Sequence, residues 1–164
     1  MASIPPILVI GLGNDFRSDD RVGLLIARRI QAEKNPKIDV LAGVGDALEL
    51  IDRWNEAELV IIVDCAVSGV QAGKSYRFDA LVEPIPEALF SRYSTHAFSV
   101  VDALALAGAL GKAPSRLIVY GIEAADCSPG TELTPAVAES AERVLEAIRG
   151  EISAALGGTG KSHE

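Results

Sequence analysis

Three stretches of the chain, Ile7-Leu8-Val9-Ile10, Leu59-Val60-Ile61-Ile62-Val63 and Leu117-Ile118-Val119-Tyr120, are apolar or aromatic at every position and rich in β-branched residues. A strand with one wet face alternates polar and apolar side chains, so runs without a polar position read as strands covered on both faces. Between them the period changes. Val22, Leu25, Ile26 and Ile30 recur at helical spacing behind Ser18, Asp19 and Asp20, a second strand reads from Ile38 to Leu41, and a second helix reads from Ala47 to Arg53. Strand and helix in alternation predict an α/β fold: a single three-layer domain with a twisted, mostly parallel sheet of about five strands and helices on both faces.

The remaining elements follow the same logic. Lys74 to Phe78 predicts a further strand, placed as an antiparallel edge, after a loop containing Gly69 and Gly73. A small-residue helix is expected between Ala97 and Leu110, and Gly121 is expected to end the strand that begins at Leu117. Thr134-Pro135 opens a last helix that runs through Leu156, because proline suits the first helical position. At 164 residues the chain has the size of one domain, read here as residues 1–156, with 157–164 as a polar, glycine-containing tail.

Charge narrows the partners. Fifteen basic against 23 acidic residues leave a net charge of −8, a field that repels phosphate backbones and anionic lipid. Nucleic acid and membrane are therefore not expected partners. The start of the chain lacks a basic n-region, its first apolar run is too short to span a bilayer, and Cys65 and Cys127 form neither a CxxC motif nor a disulfide scaffold. A cytoplasmic location is the expectation, with Cys65 read as a small buried hydrophobe.

Organic cofactors fare no better. Gly11-Leu12-Gly13 begins a dinucleotide fingerprint whose third glycine would fall on Phe16, and the second strand ends at Ala42-Gly43 without a ribose-binding acid. Gly160-Lys161-Ser162 lacks the leading glycine and the helix of a phosphate loop, and no GxSxG elbow is present.

Doubly wound sheets bind ligands beyond the carboxyl ends of their strands. Three such ends carry chemistry here: Asp19-Asp20 after the first strand, Asp64 after the third, and Ser94-Thr95-His96 before the small-residue helix. Each residue has a plain structural alternative. Asp19 and Asp20 suit a helix start, Asp64 suits a turn through Ser68 and Gly69, and His96 suits an exposed helix start. His163 belongs to the tail, which leaves His96 as the one histidine of the body. Two carboxylates and an imidazole make an open donor set for a borderline divalent ion such as nickel or zinc.

Taken together, the motifs resemble those of a known family. Ile7 to Asn14 followed by Ser18-Asp19-Asp20 and Val22-Gly23, then Val63-Asp64-Cys65-Ala66, Thr95-His96, Gly121-Ile122-Glu123 and Leu133-Thr134-Pro135, are similar to the hydrogenase maturation endopeptidases. The resemblance spans residues 7–150. It implies a protease that removes the C-terminal extension of a [NiFe]-hydrogenase large-subunit precursor, with nickel supplied by that precursor. It also implies metal and catalytic roles for Asp20, Asp64 and His96, with an aspartate as one candidate general base. Ala42-Gly43-Val44-Gly45 replaces the family's acid, two glycines and threonine, which motivates a second expectation: a non-catalytic relative binding a metal-loaded partner or small ligand in the same crevice. Arg21 stands where a small residue is commoner, and is expected to compete for Asp20.

Overall fold

The computed structural model describes residues 5–44, 46–86, 88–90 and 100–157. Strands β1 (Ile7–Gly11), β2 (Ile38–Ala42), β3 (Leu59–Ala66), β4 (Ser75–Asp79) and β5 (Leu117–Glu123) form one sheet in the order β2-β1-β3-β5-β4. All neighbours are parallel except β4, which pairs antiparallel with β5 at the edge, as the sequence predicts. Helices α1 (Val22–Gln31), α2 (Ala47–Trp54), α3 (Val100–Leu110) and α4 (Pro135–Gly157) supply the outer layers.

The uninterrupted apolar runs explain the layering, because alternate residues of each strand feed opposite cores. Ile7, Val9, Ile61, Val63, Ile118 and Ile122 pack with the apolar stripes of α1 and α4. Leu8, Ile10, Val60, Ile62, Leu117 and Val119 pack with α2 and α3 on the other face. Trp54, the one tryptophan, is fully buried in that second core and donates its indole N–H to the Lys112 carbonyl at 3.1 Å.

Two strands run further than the sequence predicts. β5 does not stop at Gly121 but continues to Glu123, because Gly121 sits in register between Asp64 of β3 and Tyr76 of β4. A Cβ at Gly121 would lie 3.1 Å from the Phe90 ring, so its missing side chain makes room for Phe90 instead of making a turn. β3 likewise passes Asp64 and ends at Ala66. Asp64 therefore lies inside the strand, and does not emerge into a turn as expected. The helix expected from Ala97 is described from Val100 onward, and most of the tail, 158–164, lies outside the described residues.

The site is set by how closely α1 approaches the sheet. A Cβ on Gly23 would fall 2.3 Å from the Val63 carbonyl oxygen, and one on Gly11 would fall 2.2 Å from the Gly23 carbonyl oxygen. Backbone rests on backbone there. The N-terminus of α1 is thereby drawn down between β1 and β3, the point where the strand order reverses and a crevice must open.

Candidate active site

Residues 18–21 form a short turn of 3-10 helix that leads from the β1 loop into α1. Asp19 and Asp20 are both buried within it, but they face different surroundings. The carboxylate of Asp19 accepts the backbone N–H groups of Ala125 (2.9 Å), Asp126 (2.9 Å) and Thr134 (2.7 Å), and the Thr134 hydroxyl (2.8 Å). It is a structural clamp that ties the first loop to the segment between β5 and α4. The expected capping role gives way to this one because the four donors belong to a different part of the chain, visible only in the fold.

Asp20 completes the other half of the turn. Its carbonyl accepts Asn14 N–H at 3.2 Å, and Gly13, at φ +143°, leaves only 1.9 Å between that oxygen and a would-be Cβ. The loop can close over Asp20 only with glycine at position 13.

Asp64 reaches the same place from β3. Burial of its carboxyl, and then the negative charge of Asp20, push Asp64 up to about 8 from an ordinary 3.8, against the Cys65 N–H that its Oδ1 accepts at 2.7 Å. Two acids from the two strands flanking the switch point thus share one electrostatic environment. Such a pair holds a proton near neutral pH, or exchanges it for a cation. Arg21 does not compete for Asp20 as expected: its guanidinium turns to Asp15, at 3.4 Å, and to the Thr131 carbonyl.

Of the expected donors, the structure brings Asp20 and Asp64 together, whereas Ser94, Thr95 and His96 lie outside the described residues. Among the described residues no group of three or more His, Cys, Asp or Glu side chains is arranged to hold a metal.

Neighbouring residues add features that the sequence reading did not assemble. Glu123, fully buried, accepts Ser68 Oγ (2.9 Å), Gly69 N–H (2.8 Å) and the Tyr76 hydroxyl (3.3 Å), which orders the loop between β3 and β4. Its position directly after an apolar run was the available signal. A cavity of about 430 Å³ opens at the ends of β3 and β5, lined by Arg17, Val67, Glu123 and Cys127 among others. Cys65 and Cys127, distant in sequence, bring their Sγ atoms to 4.0 Å. Hydrogen bonding between them and burial push the Cys65 thiol up, while the Cys65 S–H holds Cys127 below its ordinary value.

Fold and site define a class: a doubly wound α/β domain with two acids near its switch-point crevice. The chain belongs to the hydrogenase maturation protease family, whose HycI model matches residues 21–151. It is 27% identical to the hydrogenase expression/formation protein HupD of Thiocapsa roseopersicina over 89% of this chain and 67% of that protein. It is 26% identical to the hydrogenase 2 maturation protease of Escherichia coli K12 over 87% of each. The solved structure of the hydrogenase maturating endopeptidase HybD from E. coli superposes with a TM-score of 0.74 at 26% identity, covering 94% of this chain and 93% of that one. The resemblance drawn from the motifs is thus borne out, and the chain is a hydrolase.

Proposed function

We propose that this protein is an endopeptidase that removes the C-terminal extension of a nickel-loaded [NiFe]-hydrogenase large-subunit precursor, reading the nickel through Asp20, Asp64 and His96. The observation that carries this reading is the buried carboxyl of Asp64 raised further by the Asp20 charge near the switch point, in a chain of this family. Two like charges brought together out of water favour a partner that arrives as a cation. A precursor whose nickel still has open positions is such a partner. The role of His96 rests on the Thr95-His96 motif of the sequence.

In this reading the nickel is part of the substrate. The two carboxylates and the imidazole hold it, and one peptide bond is thereby kept within reach of the pair. In the metal-free chain Asp64 holds a proton near neutral pH, which it releases on meeting the nickel; an aspartate is the candidate general base in the cut. No organic cofactor is required. The protein works where the precursor is assembled, the cytoplasm; among the described residues no helix is long and apolar enough to cross a membrane.

The test is incubation of the purified chain with nickel-loaded and nickel-free precursor, followed by mass spectrometry of the large subunit. Loss of the C-terminal peptide from the loaded form alone is expected, and His96→Ala should abolish it with a melting temperature near that of the parent. Stable binding of the loaded precursor without any cut would support the second reading, a non-catalytic relative. That reading draws on Val44, which stands at one of the motif's two glycine positions and is buried in the α2 core.

A further inference from the structure

We propose that Cys65 and Cys127 are a peroxide-sensitive dithiol that closes into a reversible disulfide, fastening the end of β3 to the loop between β5 and α4 beside the acidic pair. Both cysteines are free, their Sγ atoms stand 4.0 Å apart, and they lie 62 positions apart in sequence. A disulfide needs the sulfurs at about 2.05 Å, so the gap to close is on the order of 2 Å, within reach of small side-chain rotations and a loop shift.

The framework that presents the two sulfurs is held independently of them. Cys65 is fully buried in β3. Cys127 follows a segment whose N–H groups are bound at Asp19 and whose Ala124 N–H donates to the Ala66 carbonyl at 2.9 Å. On its far side, Ser18 Oγ donates to the Ser128 carbonyl at 3.0 Å. The short sulfur separation is therefore a property of the packed fold. The two sulfurs also differ in access: Cys127 is half-buried and lines the 430 Å³ cavity, whereas Cys65 is sealed behind it.

That difference orders the chemistry. The Cys127 sulfur attacks one oxygen of hydrogen peroxide, the O–O bond breaks, and water leaves behind a sulfenic acid on Cys127. The Cys65 sulfur then attacks the Cys127 sulfur, the S–O bond breaks, and a second water departs as the S–S bond forms. Two thiols are oxidised by two electrons and one peroxide is reduced to two waters; a small-molecule thiol reverses the step by exchange. Because Cys65 adjoins Asp64 and the Cys127 loop holds Asp19 next to Asp20, the bridge stiffens the supports of both acids. The effect on cleavage rests on the function proposed above; formation of the bond does not.

The experiment treats the full chain with hydrogen peroxide and reads intact mass, free thiols and non-reducing electrophoresis. Expected are a mass loss of about 2 Da, joint loss of both thiols, a monomeric band and full reversal by dithiothreitol. Cys127→Ser should abolish the change, and Cys65→Ala should convert it to oxygen addition on Cys127. Persistence of both thiols, oxygen addition on Cys127 in the parent chain, or disulfide-linked dimers would overturn the proposal. Precursor cleavage by reduced and oxidised chain then separates the two claims. Failure of the reduced chain to cut removes the protease reading alone. Equal rates with the disulfide formed would refute its influence on the crevice.

Discussion

Asp19 and Asp20 are adjacent, chemically identical and equally hidden, yet one is a knot in the scaffold and the other lends its charge to the environment of Asp64. Asp19→Ala would leave three backbone N–H groups and a hydroxyl without their charged acceptor, at a cost of about 3 kcal/mol. Urea unfolding should show that loss, while Asp20→Asn should unfold at or above the parent's midpoint and fail to process precursor. A stable Asp19→Ala would mean that the clamp is not formed in solution. Asp64 gives the pH dependence. Because burial and Asp20 raise it from 3.8 to about 8, the folded chain keeps a proton that the unfolded chain releases, and its contribution to stability declines as pH rises from the lower value to the higher. Asp64→Asn removes that decline. Thermal melts between these limits should show a flatter pH profile for the variant, with its advantage growing toward alkaline pH; parallel profiles would sink the assignment.

At the scale of elements, the site depends on α1 lying closer to the sheet than any side chain allows. Gly23→Ala places a methyl group 2.3 Å from the Val63 carbonyl oxygen in β3 and 2.5 Å from that of Leu12 just after β1, both backbone atoms. Neither can yield without shifting α1. The expected loss is about 2–3 kcal/mol in chemical denaturation, accompanied by lost activity as Asp20 is lifted away from Asp64. By contrast Gly150→Ala, in α4 with open space around its Cβ, should gain several tenths of a kcal/mol through helix propensity and leave activity intact. Equal effects from the two substitutions would contradict the packing described.

For the molecule as a whole, two apolar cores lie on opposite faces of one sheet and share every central strand. Neither core can be lost while the other keeps its strands in place, so unfolding should be a single cooperative event. Trp54 reports on the α2 and α3 face alone, and far-ultraviolet circular dichroism draws heavily on the long α4 of the opposite face. Their urea transitions should coincide; separated midpoints would show that the faces come apart independently.

Composition and period were enough to determine the α/β class, the parallel centre, the antiparallel edge and the approximate bounds of the helices. These features follow from which side chains must leave water, a property that each segment carries locally. The motif order likewise made the family legible, though not the ends of β3 and β5, where Asp64 and Gly121 look like stops and are held in the sheet by their neighbours. Only the tertiary structure decided that Asp19 is a clamp, that Arg21 turns to Asp15, and that Cys65 meets Cys127. Each of these depends on a partner between 62 and 115 positions away or on a side chain's choice between two directions, and no local pattern encodes either one.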